Sequence, residues 1–137
     1  MDKKTLIEHL NDDLAGELQA IVQYLQHSYV VKGLGRLPIH DLFEDISKAE
    51  MGHAETLAER IVAMGGVPNT KPKVINQTNE TVAMIKFNIV REEEALAGYA
   101  KRIKEAEEIG EIGTALILEN ILVDEQGHWD SLSMLLG

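Results

Sequence analysis

Two four-residue words and two single glutamates constrain this chain more than anything else in it. The words are Glu50-Met51-Gly52-His53 and Glu125-Gln126-Gly127-His128, and the glutamates are Glu17 and Glu92. Glu50 follows Glu17 by 33 residues, and Glu125 follows Glu92 by the same 33. The second set lies 75 residues after the first at every one of these positions. One Glu-x-x-His means little, since 5 His among 137 residues produce about half a match by chance. Two words sharing one offset with a third and a fourth Glu are far harder to obtain by accident. The repeat also extends past these residues, because Ala20, Ile21 and Tyr24 follow Glu17 at the same steps as Ala95, Leu96 and Tyr99 follow Glu92.

Four carboxylates and two imidazoles are the donor set of a di-iron or di-manganese site in a helical bundle, with Glu-x-x-His on two helices and one Glu on each of the others. The hydrophobic pattern supplies four such helices, over about 3–32, 38–64, 80–109 and 114–135. Leu10, Leu14, Glu17, Ile21, Tyr24, Ser28 and Val31 fall at alternating steps of three and four, which is an inward stripe. Phe43, Ile46, Glu50, His53, Leu57 and Ile61 form a second stripe. Ile85, Ile89, Glu92, Leu96, Tyr99, Ile103 and Ala106 form a third, and Leu118, Ile121, Glu125, His128, Leu132 and Leu135 a fourth. Residues three apart share a helix face, so each Glu and its following His can point at one ion. Of Glu92, Glu93 and Glu94 only the first keeps the stripe and the offset, so the other two are read as solvated.

Gly33 lies midway between Glu17 and Glu50, and Gly110 lies close to the midpoint between Glu92 and Glu125. Folding the chain back at these points sets each pair at one level of an antiparallel hairpin. Pro38 suits the first turn of the second helix. Residues 67–79 contain Pro68, Pro72, three Asn and no apolar period, so they predict a long connection between the hairpins. The expectation is one all-α domain over 1–137, a four-helix bundle of two antiparallel hairpins joined by a long crossover loop.

Glutamates on an inward stripe are the observation that resists a purely structural explanation. A buried carboxylate is costly unless paired or bound to a cation, and the stripes offer no Lys or Arg near that level. His9, His27 and His40 have no comparable partners and read as surface or packing residues. Tyr24 is close enough in sequence to serve a ligand, by hydrogen bond or electron transfer, whereas Tyr99 reads as core packing. The run Lys101, Arg102, Lys104 reads as a solvated face. Gly52 and Gly127 each precede a histidine in mid-helix, which predicts close helix packing there or room for something bulky.

Composition excludes several functions. The chain has no cysteine, hence no disulfide, thiolate metal site or iron–sulfur cluster. A net charge of −10 argues against nucleic-acid binding. No signal-peptide pattern and no apolar stretch of about 18 residues is present, so a cytoplasmic protein with no membrane partner is expected.

These residues resemble the ferritin-like superfamily and, within it, bacterioferritin, over nearly the whole chain. The resemblance implies two iron ions per subunit, with manganese as the alternative. Glu17 and His53 then correspond to the terminal ligands of one ion, Glu92 and His128 to those of the other, and Glu50 and Glu125 to the bridging carboxylates. In that family a methionine directly after the bridging Glu ligates haem iron at a two-fold subunit interface, and Met51 holds that place, which implies one haem per two subunits. The implied activity is a ferroxidase that oxidises Fe(II) with O₂ or H₂O₂ and stores the product in a hollow homo-oligomeric shell, served by an electron donor such as a ferredoxin. Bacterioferritins continue into a fifth helix, whereas this sequence stops after the fourth, so twelve subunits are expected rather than 24. Two other functions fit the same residues: a rubrerythrin-like peroxidase or manganese catalase, and a non-catalytic haem or electron-transfer bundle.

Overall fold

A computed structural model describes residues 1–137 as four helices and no strands. They are α1 (Lys3–Val30), α2 (Arg36–Ala63), α3 (Thr81–Glu108) and α4 (Ile112–Leu136). Asp2 caps α1, its carboxylate accepting from the Thr5 N–H at 2.8 Å. α1 ends two residues earlier than the stripe predicts. Val31 is already extended, and the chain reverses at Gly33, whose φ of 100° is the left-handed conformation expected of it. Arg36 opens α2 and its guanidinium donates back to the Val31 carbonyl at 2.7 Å, closing the end of α1. Pro38 falls in the first turn of α2, where its missing N–H costs nothing.

α1 packs on α2 and α3 on α4, and the two hairpins meet mainly through α1 and α3. The connection from α2 to α3 runs the length of α1 and is pinned to it by side chains. Asn69 N–H donates to Asn11 at 2.7 Å, Gln19 to the Val74 carbonyl at 2.7 Å, and Asn76 N–H to Gln23 at 2.9 Å. These bonds satisfy a segment that forms no secondary structure of its own. They also carry the chain back to the far end of the bundle, so α3 runs antiparallel to α1. His27 is fully buried in this seam, bonded to the Asn76 carbonyl and to Asn88, and is therefore a packing residue.

The core comes in two pieces. One contains Leu6, Leu10, Leu14, Leu57, Ile61, Leu118 and Ile121, and the other Tyr24, Phe43, Ile46, Met84 and Leu132. On every helix the division falls at the repeated glutamate, so a polar layer crosses the bundle between two apolar ones. Leu135, predicted to face inward, is 44% exposed beside the chain end. No helix is long and apolar enough to cross a membrane.

Candidate metal centre

All six residues of the repeated pattern converge on this layer. Glu17, Glu50, Glu92 and Glu125 are each 0% exposed, and His53 is 6% exposed. Carboxylate or ring-nitrogen atoms of Glu17, Glu50, His53 and Glu125 lie within 4.8 Å of one another, as do those of Glu50, Glu92, Glu125 and His128. Glu50 and Glu125 belong to both groups. Each histidine turns Nδ1 inward. His53 Nδ1 lies 3.1 Å from Glu50 and 3.6 Å from both Glu17 and Glu125. His128 Nδ1 lies 3.0 Å from Glu125, 3.5 Å from Glu50 and 3.6 Å from Glu92.

The layer is electrostatically incomplete as a protein-only structure. Glu17 Oε2, both oxygens of Glu50, Glu92 Oε2, Glu125 Oε2 and His53 Nδ1 are buried without a hydrogen-bond partner. Each such atom costs about 1–3 kcal/mol. Carboxylate oxygens and imidazole nitrogens facing one another across a few ångströms fit divalent cations of the Fe(II) or Mn(II) kind. The proton affinities report the same crowding. Burial, together with the neighbouring carboxylates, pushes Glu50 well above the carboxylate range. Burial raises Glu92 to about 7 against the pull of His128. Burial alone would raise Glu125 too, but the hydrogen bond to His128 and the charges of both histidines bring it down to about 2. The histidines go the other way. Burial disfavours their charge, yet the surrounding carboxylates more than compensate and raise His53 to about 9 and His128 to about 10. Cations bound here would take the place of those protons.

The surroundings hold several residues that sequence reasoning missed. Tyr24 does bond a carboxylate of the layer, but on the opposite hairpin: its hydroxyl donates to Glu92 Oε1 at 2.7 Å. Tyr99 is not mere packing, because its hydroxyl donates to Glu17 Oε1 at 2.6 Å. The repeat-related tyrosines thus exchange hydrogen bonds across the bundle axis, and their common 75-residue offset was the available signal. Arg91, contrary to expectation, brings a cation to this level, with Nη2 4.0 Å from Glu17 Oε1. Arg102 is not on a solvated face. It is buried, donating to Asp13 at 2.7 and 3.1 Å and to Glu105 at 2.7 Å.

The outer nitrogen of His53 donates to Asp124 at 2.9 Å, which fixes the ring with Nδ1 free to accept a cation. The residue 75 positions before Asp124 is Ala49, so His128 has no repeat-related counterpart of this bond. His53 and Asp124 border an open groove of about 630 Å³ between α2 and α4, with Gly52, Thr56 and Asn120. The two mid-helix glycines are not explained by close packing: a Cβ at Gly52 or Gly127 would meet nothing within 4 Å. Met51 lies outside the layer. It is 48% exposed and borders an apolar groove with Leu18, Ile21 and Pro68 on the α1–α2 face.

Four helices, a long crossover and a buried carboxylate–histidine layer define the ferritin-like class, and a family model described as a ferritin-like domain matches residues 7–137. The chain belongs to that family. Its curated relatives include the bacterioferritin of Desulfovibrio desulfuricans, 35% identical over 92% of this chain and 71% of that protein. The bacterioferritin of Rhodobacter capsulatus is 31% identical over 93% of this chain and 80% of the relative. Among solved structures, a ferritin-like di-iron-carboxylate protein from Bacillus anthracis superposes with a TM-score of 0.94 at 35% identity, covering 100% of both chains. The dodecameric thioferritin of Bacteroides fragilis does so with a TM-score of 0.91 at 28% identity, covering 99% of this chain and 86% of the other. A Rhodobacter capsulatus bacterioferritin, described with a metal-free dinuclear site and a haem iron, gives 0.90 at 30%, covering 98% and 84%.

Proposed function

We propose that this protein is a ferroxidase of the iron-storage kind, taking two Fe(II) ions as substrate in the buried layer and using O₂ or H₂O₂ as oxidant. The observation that carries the reading is the set of partnerless carboxylate oxygens facing two inward histidine nitrogens. Glu17 with His53, and Glu92 with His128, would each serve one ion, and Glu50 and Glu125, members of both groups, would be shared. Two ions that lose one electron each match a two-electron oxidant. Carboxylate oxygens favour the ferric product, and neutral imidazoles limit the accumulated negative charge. Tyr24 and Tyr99 hold one oxygen each of Glu92 and Glu17, leaving the other oxygen buried without a partner. The groove beside His53 offers a path between solvent and the layer.

Storage requires a shell. The dodecameric Bacteroides fragilis relative supports twelve subunits as the assembly. Haem shared by two copies of Met51 across a two-fold axis is the further part of this proposal. A half-exposed thioether over an apolar groove supports it, as does the haem iron of the Rhodobacter capsulatus protein. Haem supplied during expression should give a Soret band that Met51→Leu abolishes.

The deciding experiment is stopped-flow oxidation of Fe(II) added anaerobically to apo-protein. Rapid oxidation is expected, and the Glu17→Ala, Glu50→Ala double variant should fall to the rate without protein. Equal rates in the two would defeat the ferroxidase reading. Native metal analysis and peroxide turnover separate it from a peroxidase or a manganese catalase.

A further inference from the structure

The two halves of the layer are related by the 75-residue repeat, but besides Ala49 and Asp124 a second pair of repeat-related residues breaks the relation. Those residues are Gly16 and Arg91, and they meet across the seam between α1 and α3. Arg91 Nε donates to the Gly16 carbonyl at 3.1 Å. A Cβ on residue 16 would lie 3.0 Å from Arg91 Nη2. Two positions that face each other this closely cannot both carry a long side chain. The chain places glycine at one and arginine at the other, so a fixed cation stands on one side only.

Its neighbours leave that charge directed at the layer. The polar cleft between α1 and α3 that borders Arg91 also holds Asp12, Asp13, Lys73, Arg102 and Glu94, the last of them exposed and forming no ion pair with Arg91. Asp13 is held by Arg102 at 2.7 Å and Asp12 by Lys73 at 3.2 Å. The one carboxylate within 4.0 Å of Arg91 is Glu17. That separation is too long for a hydrogen bond, so the guanidinium acts through its field. Burial disfavours its charge, yet the four carboxylates, Glu17 foremost, more than offset this and keep it ionised. Glu92 sits next to Arg91 in sequence but about 100° further round the helix, and no comparable cation faces it. The tyrosine bonds are equal on the two sides, at 2.6 and 2.7 Å, and so do not distinguish them. Asp124 adds negative charge on the Glu17 side, but its side chain is 61% exposed and is screened by solvent.

We propose that Arg91 makes the halves unequal towards divalent cations, weakening the ion held through Glu17 and His53 relative to the one held through Glu92 and His128. This rests on the layer being a two-cation site. A buried positive charge opposes the nearer ion more than the farther one, with roughly tenfold in affinity at stake. Arg91 is thus a positioning residue for charge: the Glu92–His128 half fills first, and the ion beside Glu17 is the one more readily given up.

The test is a Co(II) titration of apo-protein, followed by visible absorption. Wild type should bind two ions in two separated steps. His53→Ala should remove the weaker step and His128→Ala the tighter one. Arg91→Gln, which can still donate to the Gly16 carbonyl, and Arg91→Met should both tighten the weaker step by roughly tenfold and merge the two. Arg91→Lys keeps the charge and should keep them apart. A residue that mattered only by anchoring Gly16 would give the opposite pattern, with Lys and Met altered and Gln unchanged. That pattern, or a gap between the steps that survives in Arg91→Gln, overturns the proposal. Two wild-type ions bound with equal affinity overturn it while leaving the ferroxidase reading intact. Failure of wild type to bind Co(II) removes both.

Discussion

Replacing Glu92 by Gln should stabilise the metal-free protein, with a gain that grows from about pH 5 and is complete above about pH 7. Glu92 is fully buried and burial raises its carboxyl from 4.5 to about 7. The folded value lies above the unfolded one, so the group costs nothing below about pH 4.5 and carries its full penalty above about pH 7. A displacement of that size corresponds to about 3 kcal/mol. The glutamine amide needs partners of its own. Its oxygen can accept from Tyr24, which now donates to Glu92 Oε1 at 2.7 Å, but its nitrogen gives back about 1 kcal/mol. A net gain of about 2 kcal/mol is expected, or about 5–8 °C in Tm for a chain of this length. The assay is thermal unfolding of apo wild type and Glu92→Gln, followed by circular dichroism at pH 8 and pH 5. At pH 5 the difference should nearly vanish, because the wild-type carboxyl is already protonated in the fold. With Co(II) at about a hundred times its Kd the order should reverse, since binding adds about 2.7 kcal/mol to wild type. A variant that melts below wild type at pH 8, or a gain of the same size at pH 5, would refute the reasoning.

Further consequences can be checked together. Asp124→Ala frees the outer nitrogen of His53, now bonded at 2.9 Å to a carboxylate that is 61% exposed, and should weaken the His53 step of Co(II) binding about two- to fivefold, with Asp124→Asn falling between. Tyr99→Phe leaves Glu17 Oε1 without its 2.6 Å donor and should lower apo stability by about 1–3 kcal/mol in denaturant unfolding. His53 and His128 have folded values of about 9 and 10, above the ordinary 6.5. Their stabilisation is therefore complete below about pH 6.5 and lost as pH rises through 9 to 10. Apo-protein should melt at lower temperature at pH 10 than at pH 6, and Co(II) affinity should increase over the same interval, with proton release visible by calorimetry. Gly66→Ala would bring a Cβ within 2.6 Å of Ile7 Cγ2 and should cost about 1–3 kcal/mol.

The repeat spacings alone specified which six residues face one another. Periodicity places Glu17, Glu50, Glu92 and Glu125 on inward stripes, and turns near Gly33 and Gly110 bring each pair level, which needs only helix geometry and loop position. Local pattern also separated the inward Glu92 from the outward Glu93 and Glu94, because neighbours differ by about 100° around a helix. The roles of Tyr99, Arg91, Arg102 and Asp124 came only from the tertiary structure. Their partners, Glu17, Gly16, Asp13 and His53, lie more than 70 residues away on other helices. A charged side chain reads as solvated until the counter-charge that permits its burial is known, and that depends on how α1 meets α3. The same packing assigned Tyr24 to Glu92 instead of Glu17, because along one helix its hydroxyl extends past its own turn and reaches the neighbour across the axis. Sequence fixed the donors of the layer through the period of the helix; the fold, by setting one helix against another, fixed the charges and hydrogen bonds that tune it.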